Sequence, residues 1–223
     1  MPHVRSVNIA RSTVAREYAD VPTAIGKQPT DEPIEVREPG PKRDGLGSGL
    51  VGDAIGDRRH HGGTDQAVYA FAREVLDEWE HRLGRALPDG IFGENLTTVG
   101  LDVDDARVGE RWRVGDGGVE LQVTVPRIPC NTFRGWMGER GWLKTFTADG
   151  RSGAYLRVVS GGHVRSGDAV EVVHRPAHEV TVALAFRALM GHPDLVPSLA
   201  AAGDDLPDEL RTRVEQNAMA ARR

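Results

Sequence analysis

Residues 119–131 read VELQVTVPRIPCN. Val119, Leu121, Val123 and Val125 face one side of an extended chain, and Glu120, Gln122 and Thr124 face the other. A period of two built on β-branched residues predicts a half-buried strand. Pro126 removes a ladder donor, and Pro129 fixes the backbone just before Cys130. The strand therefore stops and delivers the chain's single cysteine at a sheet rim, on a stiff Pro-Arg-Ile-Pro support. A thiol held there can act as a ligand or a nucleophile. A lone cysteine is also commonly a small buried hydrophobe, and this stretch leaves both readings open.

Upstream, Glu110–Val114 predicts a second strand, joined to the first by a turn at Gly115–Gly118. Downstream the pattern changes. Thr132–Arg140 and Trp142–Thr147 predict short helices that carry Phe133, Trp136, Met137, Trp142 and Phe146. An aromatic cluster of this kind reads by default as a satellite core. Ala154–Ser160 and Ala169–His174 then predict a closing hairpin that completes an antiparallel β architecture. Beyond Pro176 three alanine- and leucine-rich segments have helical spacing, Thr181–Met190, Asp194–Ala201 and Pro207–Ala221, separated by Gly191, Pro193, Gly203 and Pro207. The reading is a β domain over residues 1–176 and a three-helix module over residues 177–223, fraying beyond about Asn217.

Earlier in the chain, residues 4–10 suggest an opening strand with Val7 and Ile9 inward, and Pro33–Arg37 a short extended piece. Gly45–Gly56 is glycine-dense but lacks the Lys-Ser/Thr ending of a phosphate-binding P-loop, so a tight loop between strands is the better reading. Asp57–Asp65, DRRHHGGTD, crowds charge and imidazole before a Gly-Gly turn. It reads either as a solvated loop with Thr64 or Asp65 capping the next helix, or as an anion-binding loop with arginine forks and close glycine backbone. Adjacent His60 and His61 make a poor zinc clamp, because both ligands must face one metal. Gln66–Leu83 predicts the clearest helix, with Val68, Phe71, Val75, Trp79 and Leu83 on one stripe and Gly84 as its C-cap. Glu94 and Asn95 follow Gly93 in a bend and serve equally well as turn residues or as site residues.

Composition narrows the classes. A chain of 223 residues with 39% hydrophobic and 27% charged residues is an ordinary soluble protein, able to bury roughly 70% of its unfolded surface. A net charge of −5 argues against a general nucleic-acid binder. No apolar run reaches the roughly 18 residues of a membrane span, and the N-terminus lacks a signal-peptide core. These features point to the cytoplasm.

Five pieces in order, GDRRHHGG (56–63), AVYAF (67–71), GIFGENLTT (90–98), VGERWRVG (108–115) and PRIPC (126–130), resemble the MOSC domain, specifically its YiiM-like branch. The resemblance covers most of residues 1–220, including the C-terminal helices, and is weakest over residues 20–55. It implies a mainly β fold with added helices: a MOSC-type β-barrel followed by a small three-helix module. It also implies a molybdenum-cofactor (molybdopterin) function. Cys130 matches the family cysteine proposed as the metal's thiolate ligand, and so as the catalytic position. Asp57, Arg58, His60, His61, Asn95 and Arg127 match positions that would bind the cofactor's phosphate and pterin. Better-understood relatives reduce N-hydroxylated compounds, and YiiM-like proteins are associated with N-hydroxylated purine bases. Molybdenum accepts soft sulfur ligands, and binding uses the deprotonated cysteine.

Two functions are consistent with the resemblance. The first is a molybdenum oxidoreductase acting on a small N-hydroxylated substrate. One cysteine cannot hold an iron–sulfur cluster, and no flavin or haem motif is evident, so this function requires an external electron-transfer protein. The second is a carrier, in which Cys130 holds persulfide sulfur or hands cofactor onward. A homodimer through the alanine-rich helices stays open, and protein from a host that does not supply the cofactor would come without it.

Overall fold

The computed structural model describes residues 1–220 of the chain; of the segment expected to fray beyond about Asn217, residues 218–220 continue the last helix and residues 221–223 lie outside the described residues. The strand read from residues 119–125 forms β7 (Val119–Pro126) and makes a hairpin with β6 (Arg111–Val114), where Val114 pairs with Val119 across the four-residue turn. Its alternation holds through Val123 and then breaks. A register shift between Val123 and Val125 against β8 (Ala154–Ser160) buries Thr124 and Pro126 and half-exposes Val125. The bulge turns the end of the strand and re-aims the residues beyond it.

Three more strands complete this side of the sheet: β4 (Val68–Ala72), β5 (Leu96–Val99) and β1 (His3–Ile9). With β2 (Gln28–Thr30) and β10 (Val170–His174) as edges, the order is β10-β6-β7-β8-β4-β5-β1-β2. A separate two-stranded sheet pairs β3 (Ile34–Val36) with β9 (Gly162–Val164). Two expectations are corrected here. The first is the closed barrel: the ladder is an open sheet of eight strands. Its ends still approach one another, since His3 bridges Ala169 and the Val4 N–H donates to the Asp168 carbonyl at 2.8 Å. The second is the closing hairpin. β8 pairs with β7 and β4, while β10 pairs with β6.

The helix expected over Gln66–Leu83 is half strand. Residues Val68–Ala72 lie between β8 and β5, antiparallel to the first and parallel to the second. All five are buried. A strand covered on both faces loses its period of two and shows only a continuous apolar run, which merged with the true stripe of α1 (Arg73–Leu83). Gly84 caps α1 as expected, at φ 65° with its N–H on the Glu80 carbonyl. Thr64 and Asp65 cap nothing; they lie in a short 3₁₀ turn with no side-chain cap bond.

After Cys130 come α2 (Asn131–Met137) and α3 (Trp142–Asp149). Their aromatics belong to the main core, correcting the satellite reading. Phe133 lies 5.1 Å from both Phe92 and Phe146 and 5.4 Å from Trp142, all in edge-to-face geometry. Such pairs add about 0.5–1.5 kcal/mol each beyond area burial.

The C-terminal segments form α4 (Val182–Leu189), a kinked 3₁₀ stretch (Pro193–Asp205) and α5 (Asp208–Ala220). They build a second apolar cluster around Ala185, Leu199, Leu206 and Leu210, joined by Val108 from the β region. The same α4 sends Val182 and Phe186 into the main core. Backbone bonds stitch the seam: Val108 N–H to the Val180 carbonyl at 3.0 Å and Val182 N–H to the Ala106 carbonyl at 2.9 Å. Gly109 (φ 88°) is required there, because a Cβ would stand 2.4 Å from the Asp205 carboxyl carbon. Among the described residues no helix is long and apolar enough to cross a membrane.

Candidate functional site

Cys130 occupies the N-cap position of α2 in extended conformation and is half-buried. Pro126 and Pro129 end the ladder so that the thiol leaves the sheet at its rim. Arg127, three residues earlier, is 4% exposed. Its guanidinium carbon lies 3.6 Å from the centroid of the Phe133 ring, a cation–π contact with the first helix after the cysteine. Its Nη1 is buried without a hydrogen-bond partner, and no carboxylate pairs with it among the described residues. A buried guanidinium without a counter-charge is costly, so its presence marks a place prepared for negative charge.

The loop Asp57–His61 winds as a turn, with the His61 N–H on the Asp57 carbonyl at 3.0 Å. His61 turns inward and lies, by its Nδ1, 3.4 Å from the Tyr155 hydroxyl. Burial lowers its pKa to about 4, helped by the positive charge of Arg127 and opposed by Asp57. The ring is therefore neutral at pH 7. Tyr155 sits on β8 opposite Val125 of β7, so the bulged strand end sets its position. Burial pushes its phenol up to about 12, with Arg127 pulling down and Cys130 pushing up. Tyr69 from β4 stacks at 5.1 Å on Tyr155 and donates to the Ser152 carbonyl at 2.7 Å.

The structure thus gathers His61 and Arg127 around Tyr155, with Cys130 near enough to bear on the Tyr155 phenol. It leaves the other expected cofactor residues elsewhere. Arg58 is exposed and holds the Gly45 carbonyl. Asp57 binds His60 Nδ1 at 2.9 Å and Arg59 Nε at 3.0 Å, and its carboxyl is held well below the usual range, chiefly by Arg59. His60 points to solvent. Asn95 is 4% exposed and committed inside the fold. Its Nδ2 donates to Asp53 at 3.0 Å and the Asn8 carbonyl at 3.3 Å, while its Oδ1 accepts the Tyr69 N–H at 3.1 Å. No amide proton remains for a cofactor. Gly62 and Gly63 admit the chain's own backbone: a Cβ would meet the Gly47 carbonyl oxygen at 2.6 Å or Lys42 Cα at 2.7 Å. Glu94 is a turn clamp, accepting the Gly90 and Phe92 N–H groups at 2.6 and 3.0 Å.

Sequence reasoning missed Tyr155, Tyr69 and Lys42, whose charge reaches His61. Tyr155 is the second residue of a segment read simply as a strand, and a phenol there was the available signal. It also missed Asp53, a fully buried carboxylate that binds Lys27, the Ser48 hydroxyl at 2.7 Å and the Ala10 N–H at 2.9 Å. Among the described residues no three His, Cys, Asp or Glu side chains converge to hold a metal.

The MOSC domain family model matches residues 57–171, just over half of the chain. The uncharacterized protein YflK of Bacillus subtilis is 29% identical over 185 residues, covering 82% of this chain and 79% of that protein. A protein named "Reductase" from Gibberella moniliformis is 28% identical over 177 residues, 78% of this chain; the match spans 29% of the fungal protein. The crystal structure of YiiM from Geobacillus stearothermophilus superposes with a TM-score of 0.77 at 25% identity, covering 97% of this chain and 99% of that one. The order of motifs, the bulged strand delivering Cys130, and this likeness over nearly the whole length agree: the chain belongs to the MOSC family, as a YiiM-like member of it.

Proposed function

We propose that this protein is a molybdenum-cofactor-dependent reductase of N-hydroxylated compounds, with the Cys130 sulfur as metal ligand and electrons from a separate donor protein. MOSC domains are associated with molybdenum-cofactor binding, and one relative is named a reductase. The observation that carries the reading is the half-buried thiol of Cys130 three residues beyond a buried arginine with no counter-charge among the described residues.

The residues present fit such a group. Cys130 supplies a soft donor. Arg127 supplies positive charge toward an anionic cofactor from a site where water screens little. His61, neutral at pH 7, can hydrogen-bond without adding charge. Tyr155 keeps its phenolic proton at Oη through the physiological range, so its hydroxyl can donate there as well as accept. When bound, the cofactor supplies the two-electron redox couple, and the protein supplies orientation and electrostatics. In the overall reaction the N–O bond of R–NHOH breaks, two electrons and two protons enter, and the products are R–NH₂ and water.

The test is metal content. Protein from a host competent in cofactor synthesis is compared with its Cys130→Ala variant by elemental analysis. We expect near-stoichiometric molybdenum in the parent and its loss in the variant. Extra sulfur mass on Cys130 without molybdenum would instead identify a carrier.

A further inference from the structure

A hollow of about 620 Å³ opens between α3 and the end of α4. The helix α3 turns Phe146 inward, onto Phe133 and toward Arg127, and presents Lys144, Thr147 and Ala148 to the hollow. Facing them, Arg187 stands on the last turn of α4 and His192 just beyond it. Lys144, Arg187 and His192 have no carboxylate partner among the described residues. The one carboxylate in the lining, Asp149, has a side chain 6% exposed and is already matched by two arginines. Its Oδ2 accepts from Arg82 at 2.5 Å and from Arg151 at 3.0 Å, and its Oδ1 from Arg151 Nε at 2.9 Å. The hollow therefore carries unmatched positive charge on a chain whose net charge is −5. A concave surface lined by one sign of charge concentrates its field on a small counter-ion.

The carbonyl ends of both helices would repel an anion, but they are turned to their own caps. Gly150 N–H bonds the Phe146 carbonyl at 3.4 Å, and the Met190 and His192 N–H groups bond those of Phe186 and Arg187 at 2.9 and 3.2 Å. The Thr147 hydroxyl and the His192 ring add hydrogen-bonding groups to the lining. The volume is that of about twenty waters of liquid and falls in the range of about 300–1,000 Å³ usual for small-molecule sites. A bare inorganic ion would leave most of it to solvent, while Leu143 and Ala148 offer apolar surface to an organic body.

We propose that this hollow binds a small organic phosphomonoester, its phosphate held by Lys144 and Arg187 and its organic part lying on Leu143 and Ala148. Such a phosphate carries close to two negative charges at pH 7, which answers two fixed cations, and a guanidinium fork fits its oxygens. The bound ester ties α3 to α4, the helix that sits in both apolar clusters. The site needs no molybdenum and stands apart from the reductase reading.

The full-length protein is titrated calorimetrically with adenosine 5′-monophosphate and with glucose 6-phosphate, which share the phosphate and differ in body. Adenosine and inorganic phosphate serve as the separate halves. We expect at least one ester to bind, inorganic phosphate to bind more weakly and adenosine not to bind. Lys144→Ala and Arg187→Ala, both at exposed positions that leave the fold intact, should each weaken the ester about tenfold or more, as for lost hydrogen bonds to a charged group. Added salt should weaken it in the parent as well. Arg127→Met should leave it unchanged. Binding lost in Arg127→Met and kept in the other two variants would put the phosphate at the Cys130 site and overturn the proposal. A parent that binds neither ester at millimolar concentration also overturns it, as does an affinity that both Lys144→Ala and Arg187→Ala leave unchanged. Adenosine bound as tightly as its monophosphate would sink the role of the phosphate, and inorganic phosphate bound as tightly as the esters would sink that of the organic body.

Discussion

Arg127 brings a full positive charge into a position that is 4% exposed, with an aromatic face below it and no carboxylate beside it. Removing a buried charge that has no partner relieves its desolvation cost. We therefore expect Arg127→Met to be at least as stable as the parent in urea denaturation, the thioether keeping a contact with Phe133. The same variant should carry much less molybdenum than the parent. A variant that loses stability while retaining metal would mean that Arg127 serves packing alone. The strand end that carries Cys130 was legible in the sequence, because proline punctuation announces it, whereas Arg127 was singled out by the family resemblance and its burial had no signal in the sequence. Asn95 was misleading. Its motif is plain, but an amide held by Tyr69, Asn8 and Asp53 can be known only once three distant segments have met.

At the level of elements, the fold was most legible where one face is wet. The β6–β7 hairpin and α1's second half announced themselves by period, whereas β4, covered on both faces, had no period to show. The bulge in β7 was equally silent, since a register shift belongs to two strands and one sequence segment cannot display it. The glycine-dense loop between residues 45 and 56 gave no hint that Asp53 within it would be a hub. That carboxylate has no exposed side-chain surface, and its partner Lys27 has 6%. Deleting it strands a buried ammonium, so Asp53→Ala should cost about 3–5 kcal/mol in chemical denaturation. Asp53→Asn, which keeps the shape and part of the hydrogen bonding, should cost less. Equal losses would show that the Lys27 charge is not what the site balances.

Across the whole molecule, buried ionisable groups pull the pH dependence of stability in opposite directions. Burial raises Glu94 from 4.5 to about 7 and Asp104 from 3.8 to about 6. The folded chain then holds protons that the unfolded chain has released, so their contribution is full at acid pH and lost as pH rises through the folded values. His61, lowered from 6.5 to about 4, acts the other way: its contribution is present above 6.5 and lost as pH falls toward 4. The two trends oppose each other between about pH 4.5 and 6.5, and above that window Glu94 prevails. We expect the urea midpoint of the parent to fall between pH 6 and 8. In Glu94→Gln that slope should shrink, whatever the variant's absolute stability. The Glu94 contribution is on the order of 3 kcal/mol over its whole titration, set by the size of its shift. A slope of the same size in Glu94→Gln would assign the trend to other groups.

The bridge between His3 and Ala169, with Val170 N–H on the Pro2 carbonyl at 2.9 Å, also sets a timetable. The opening strand is made first, yet one of its partners is not made until most of the chain exists. At about 5–20 residues per second the ribosome needs on the order of ten to thirty seconds to reach it. Through that interval β1 can already pair with β2 and β5, and only its closing contact with the segment before β10 waits for the last third of the chain.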